Sequence, residues 1–359
     1  MLFFESKPTQ FVGIDIGSSG IKLVELRAVS KRPYLYTYAF SDGRVDFRFA
    51  KTDEQRAAAV DSAAALVKQV AAAAKTVSTA AVASLSQRDV FSTIITIPKV
   101  DAKLFSSTVA AEVEKLLPFP LAEAVLDTRK IEPLPGEVDQ YKNIDRVFVT
   151  AARKKMIQFY SDICSRAGFK LQSIETETFA TIRSLIGTDP APVLIIDMGK
   201  QITSMSYVVR TVPHVDIAVE IGGDRVNEIL AKAWSQTPAE VEGMKMDLFQ
   251  EMGDEATPEL SALLDPLYQP ILKGVEEVFA SLTRLQLVGM ARPDKIILIG
   301  GASHCPQLAQ KIEAKFSIKT FVADPWSRVV APVGLKPVLE RVAPRFAVAI
   351  GLAERLIVS

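Results

Sequence analysis

Residues 11–26, "FVGIDIGSSGIKLVEL", place two apolar runs on either side of a turn of small residues. Each run alternates as a strand does, and Gly17-Ser18-Ser19-Gly20 is short enough to close a hairpin between them. One carboxylate, Asp15, precedes the turn, and one ammonium group, Lys22, follows it. Two readings fit. The stretch is an ordinary hairpin, or it is a cradle whose successive backbone N–H groups hold an anion, with the glycines allowing close approach. In the second reading Asp15 holds a Mg2+ ion or its waters beside a phosphate, and Lys22 supplies positive charge to that phosphate. The spacing matches neither a Walker A loop nor the GxGxxG turn of dinucleotide-binding folds.

A second stretch shifts the balance. Residues 193–209, "VLIIDMGKQITSMSYVV", repeat the pattern about half a chain later: an apolar strand, Asp197-Met198-Gly199, a polar turn and another strand. Two such turns facing each other across a cleft would clamp a triphosphate and its metal from both sides. A third turn, "LIGGAS" at 298–303, follows a buried strand and suits the α-phosphate or the base.

Between these landmarks helices and strands alternate, which predicts an α/β fold. Thr52 or Asp53 can cap a long alanine-rich helix within "TDEQRAAAVDSAAALVKQVAAAAKTV", residues 52–77. Residues 88–153 read as strand, helix, strand, strand, with Asp101 capping the helix and Pro118 stopping it, and form a plausible insertion. Residues 1–87 with 154–190 and 343–359 make the first half, and 191–223 with 291–342 the second, with "DPAPV" as linker. Residues 224–290 are helical, broken by "MGDEATPEL" and other turns, and Pro344 opens a closing helix that ends near Leu356.

Composition narrows the classes. The 42 basic residues balance the 42 acidic ones, without the excess expected of a nucleic-acid binder. Cys164 and Cys305 are far apart, lack CxxC spacing and read as reduced core or surface residues, and His214 and His304, too few for a histidine-based site, are expected to be structural. The N-terminus lacks the pattern of a secretory signal, and no stretch is expected to span a membrane. A cytoplasmic protein, attached to a membrane only through partners, is the expectation.

The three turns are similar to those of the actin–Hsp70–sugar-kinase superfamily. The inserted unit narrows the likeness to its FtsA-like branch. "EKLLPFPLAEAVLD", "VTAARKKMIQFY", "AVEIGGDRVNEIL" and "AIGLAERL" resemble the PilM family of type IV pilus assembly proteins over nearly the whole chain. The resemblance implies duplicated actin-like (RNase H-like) halves around a nucleotide cleft, with ATP and Mg2+ as cofactors. It places Asp15, Gly17, Ser18, Ser19 and Lys22 at the first phosphate turn, and Asp197, Gly199 and Thr203 at the second. Gly222 and Gly223 match a glycine pair near the nucleotide, Gly300 and Gly301 the adenosine motif, and "EGMK" puts Glu242 and Lys245 beside the ribose or base. Asp15 and Asp197 are the implied metal-side acids.

Glu177 falls where related ATPases carry a water-orienting acid, with Glu175 as competitor. Lys200 stands where many relatives have a small residue, so the resemblance implies ATP binding with slow hydrolysis or none. The implied partners are the cytoplasmic tail of a PilN-like protein, docked on the inserted unit, other pilus platform and motor proteins, and further copies of this chain. Small-molecule kinases of the superfamily differ by needing a substrate-binding constellation, and none is evident. FtsA-like filament proteins add a linker and an amphipathic tail, and "ERLIVS" provides neither.

Overall fold

The computed structural model describes residues 9–17, 19–43, 52–133, 142–252, 257–284 and 292–357. Strands β1 (Gln10–Gly17), β2 (Gly20–Val29) and β3 (Arg32–Ser41) form an antiparallel meander, registered so that Asp15 pairs with Lys22. Helix α1 (Asp53–Ala74) begins at Thr52, which closes a capping box with Gln55. By length and composition alone, with a mean hydropathy of 1.3, this helix passes the threshold for a membrane span, as core helices of soluble folds also can. Alanines supply much of that hydropathy, and the stripe of Val60, Ala63, Val67 and Val70 packs into the first half's core.

Next come β4 (Ala80–Leu85), β5 (Val90–Pro98), α2 (Ala102–Glu114), β6 (Ala124–Ile131) and β7 (Ile144–Arg153). Strands β5, β7 and β6 form a separate antiparallel sheet, onto which α2 packs Val109 and Val113 against Ile95, Ile97, Val147 and Val149. Asp101 holds the cap position of α2 with its carbonyl, which accepts from Leu104 and Phe105, while its side chain makes no capping bond. Helix α3 (Lys154–Arg166), β8 (Lys170–Thr176) and α4 (Glu177–Leu185) return to the first half. There β4 lies parallel to β1, and β8 parallel to β4.

The second half follows the same plan. Strands β9 (Val193–Met198), β10 (Thr203–Val209) and β11 (Val212–Val219) form the meander. After α5 (Gly223–Trp234), α6 (Pro238–Met252) and α7 (Pro258–Arg284), strand β12 (Lys295–Ile299) joins parallel to β9. Helix α8 (Leu308–Phe316), β13 (Thr320–Val322), α9 (Lys336–Val342) and α10 (Ala347–Glu354) complete the chain. The sheet orders are β3-β2-β1-β4-β8 and β11-β10-β9-β12-β13, one strand plan used twice.

Two local expectations change. Helix α7 runs through Pro266 and Pro270, although each removes a backbone donor, because Leu264, Leu267, Tyr268 and Ile271 around them are fully buried. Of the expected break at "MGDEATPEL", residues 253–256 lie outside the described residues. The closing helix starts at Ala347 rather than Pro344, after a 3-10 turn over Ala343–Phe346. It is buried along its length, wedged between β1 and α4. A Cβ on Gly351 would sit 1.8 Å from the Ala180 carbonyl oxygen, so a glycine in "AIGLAERL" lets the two helices touch.

The inserted sheet also reaches the second half. Arg129 of β6 donates to Thr211 Oγ1 at 3.1 Å in the β10–β11 turn, and Arg210 donates to the Pro133 carbonyl at 3.3 Å.

Candidate functional site

The two halves enclose a cleft open to solvent. Asp15, Gly17, Ser19 and Lys22 line it from the first turn, Asp197 and Gly199 from the second, and Gly300 and Gly301 from the third. Glu177, Gly223, Glu242 and Lys245 complete the set of expected residues on its wall. Residues 182 positions apart in sequence, Asp15 and Asp197, thus face one space because each ends the first strand of its half.

At the first turn Lys22 Nζ donates to Asp15 Oδ2 at 3.1 Å and to Ser19 Oγ at 3.0 Å. Ser84, at the end of β4, donates to Asp15 Oδ1 at 3.0 Å. Asp15 is therefore held on both oxygens, with its aim fixed by two neighbouring strands. At the third turn Gly300 has φ +89°, and a Cβ there would lie 2.4 Å from the Met198 carbonyl oxygen and 2.5 Å from Asp197 Oδ1. Only glycine lets this turn sit directly beneath the second acid. The Gly300 N–H donates to the Pro344 carbonyl at 2.9 Å, tying the turn to the segment before α10.

Glu177 is the first residue of α4, whose cap Thr176 accepts from the Phe179 N–H. The Gln87 N–H donates to Glu177 Oε2 at 3.1 Å. Burial, then the neighbouring charges of Asp15 and Asp197, push the Glu177 carboxyl up to about 8. Burial also raises Asp197 to about 6, against the pull of Lys22. Three acids thus share a site with one ammonium group among them, a donor set that a divalent cation would relieve. Among the described residues no three acidic, histidine or cysteine side chains converge closely enough to chelate a metal unaided. A cation here fits as one shared between Asp15, Asp197, water and ligand oxygens.

On the helical side Lys245 Nζ donates to Asn227 Oδ1 and Glu242 Oε2, both at 2.8 Å, and Asn227 donates to Glu242. Burial opposes ionisation of Glu242, but the Lys245 ammonium outweighs it and leaves that carboxyl below its ordinary value. The "EGMK" pair therefore crosses to α5 rather than resting on one exposed helix face.

Some expected residues lie elsewhere. Thr203 is fully buried, its hydroxyl donating to the Ile221 carbonyl at 2.8 Å, and does not line the cleft. Gly222 packs behind the second turn, where a Cβ would meet the Gly199 carbonyl oxygen at 2.5 Å. Both support the wall without forming it. Ser18 lies outside the described residues. Glu175 points away from the cleft: Arg183 grips both its oxygens at 2.6 Å, and Arg355 donates to it as well. Of the two glutamates, Glu177 is therefore the one that faces the cleft. His214 and His304 do not line it either.

Sequence reasoning missed Ser84, Arg88, Asp89, Tyr160, Asp42 and Arg345, which hold or line the same space. The polar run "SQRD" directly after the apolar β4 was a usable signal for Arg88 and Asp89. Tyr160, in the middle of an amphipathic helix, gave none.

Two copies of one five-stranded plan, closed around a cleft with an acid at the end of each first strand, define an actin-like α/β protein. The chain belongs to the type IV pilus assembly protein PilM family, whose profile matches residues 13–357. Among solved structures it is similar to a PilM–PilN type IV pilus biogenesis complex, at 23% identity and a TM-score of 0.78, covering 97% of this chain and 98% of that one. MreB5 of Spiroplasma citri bound to ADP shares the fold at 12% identity and TM-score 0.53, covering 95% and 94% of the two chains. The ethanolamine utilization protein EutJ from Carboxydothermus hydrogenoformans does so at 13% and 0.52, covering 97% and 90%.

Proposed function

We propose that this protein is a cytoplasmic ATP-binding scaffold of the type IV pilus inner-membrane platform, and that its inserted sheet docks the cytoplasmic tail of a PilN-like protein. The observation that carries the nucleotide half is the convergence of three turns on one cleft, with Asp15, Lys22, Asp197 and Gly300 at its centre. Family membership and the likeness to a complex that contains PilN support the partner half.

The bound nucleotide, with Mg2+, would supply negative phosphate oxygens and a divalent charge between the two jaws. Lys22, held at the first turn by Asp15 and Ser19, would supply positive charge to a phosphate there. Asp15 and Asp197 would hold the cation or its waters, and Ser84 keeps Asp15 aimed. Lys245, Asn227 and Glu242 form a preset polar wall for the ribose or base. Burial and the neighbouring charges of Asp15 and Asp197 push the Glu177 carboxyl toward its neutral form, which suits it poorly to orient water unless a cation offsets those charges. The cleft is thus better built to grip ATP than to hydrolyse it.

Grip on both jaws fixes the relative position of the halves. The Arg129–Thr211 and Arg210–Pro133 contacts make the inserted sheet sense that position. Titration of purified protein with Mg–ATP, and with a synthetic PilN-tail peptide with and without nucleotide, tests both parts. Absence of nucleotide binding overturns the first, and absence of peptide binding in both states overturns the second.

A further inference from the structure

Three of the cations on the cleft wall, Lys22, Lys245 and Arg345, are held differently. Lys22 and Lys245 are nearly buried, with side chains 10% and 5% exposed, and each is fixed by a short polar network. Arg345 is also largely sheltered, at 15%, but its ion-pair partner Asp42 is 57% exposed. Asp42 directly follows β3, just behind the first turn: a Cβ on Gly20 would lie 3.0 Å from the Asp42 Cα. On its other side Arg345 borders the third turn, with its Nε 3.9 Å from the position of a Cβ on Gly301. The guanidinium lies over the Phe40 ring, 4.6 Å from its centroid.

We infer that Arg345 is a phosphate-binding residue of the cleft, and that Asp42 is the anion it surrenders when polyphosphate enters. The inference rests on the reading of the cleft as a nucleotide site. An ion pair with one exposed partner costs little to give up, because water rehydrates the carboxylate. Phe40 keeps the guanidinium plane in place while its partner changes, and a guanidinium matches phosphate oxygens two at a time. The segment carrying Arg345 also accepts the Gly300 N–H through Pro344, so a phosphate seated on the third turn meets Arg345 without backbone movement. Arg345 therefore bridges the first and third turns, and its exchange of partners marks occupancy of the cleft.

The test is isothermal titration of the full chain and of Arg345→Ala, Arg345→Lys and Asp42→Asn with Mg–ATP, Mg–ADP and adenosine. Arg345→Ala is expected to weaken both nucleotides about tenfold or more, the usual effect of losing a charge-assisted hydrogen bond, and to leave adenosine unchanged. Arg345→Lys is expected to recover part of the loss. Asp42→Asn removes the competitor and is expected to tighten Mg–ATP severalfold. Because Asp42 is exposed, that variant remains informative if Arg345→Ala folds poorly. Unchanged Mg–ATP affinity in Arg345→Ala, an equal loss for adenosine, or weaker Mg–ATP binding in Asp42→Asn overturns the assignment. If the wild-type chain binds no nucleotide at all, the reading of the cleft itself fails.

Discussion

Lys22 Nζ lies 3.1 Å from Asp15 Oδ2, and both side chains are at least nine-tenths buried. The pair sits in register across β1 and β2, so the hairpin that folds first in sequence also builds the charged centre of the cleft. Removing one member leaves the other buried without its counter-charge. Lys22→Ala is expected to lower stability by about 3 kcal/mol, typical of a broken buried pair, as read from urea unfolding. It should also abolish most Mg–ATP affinity. A variant as stable as wild type would show that Asp15 has another way to be neutralised.

Glu177 and Asp197 give the free protein a distinctive pH response. Both carboxyls have folded values above their ordinary ones, about 8 against 4.5 and about 6 against 3.8. The folded state therefore binds more protons than the unfolded state between those limits, and stability falls as pH rises toward 8. Glu177→Gln should flatten that slope and raise Tm at pH 8 by about 2 °C or more. Thermal melts across pH 5–9 would reveal it, and an identical slope in the variant would contradict the assignment.

The neighbouring acid should behave otherwise. Glu175 is clasped by Arg183 and Arg355, and Arg183 also donates to the Gly351 carbonyl at 2.8 Å. Arg183→Ala is expected to cost about 3 kcal/mol of stability by leaving Glu175 half-paired, again as in other broken buried pairs. Whatever slow ATP hydrolysis exists should disappear in Glu177→Gln and persist in Glu175→Gln. The opposite outcome in a phosphate-release assay would exchange their roles.

Gly300 tests the architecture directly. Its left-handed backbone alone disfavours alanine by about 1–2 kcal/mol. The added methyl would also press on the Met198 carbonyl and the Asp197 carboxylate. Gly300→Ala should therefore lose both stability and nucleotide affinity, while Gly301→Ala, whose Cβ meets nothing closer than 3.9 Å, should fold normally.

Much of this was legible because apolar strands ending in Asp-x-Gly are a local pattern that occurs in both halves. Each strand's C-terminal end fixes where its acid points, and a repeated plan implies two such ends facing one space. Thr203 and Gly222 stand behind the second turn rather than on the cleft wall, because sequence position within a turn does not say which side faces the cleft. Thr203 faces inward to satisfy the Ile221 carbonyl. Ser84, Asp42 and Arg345 were illegible for a different reason: they reach the site from strand and turn ends that only the tertiary fold brings together.

The most direct test is equilibrium binding of Mg–ATP to the purified chain beside an Asp15→Ala, Asp197→Ala double variant that remains folded by circular dichroism. The wild-type chain should bind with an affinity that depends on Mg2+, and the double variant should lose it. Equal binding by both, or none by the wild type, would contradict a nucleotide clamp built from these two turns.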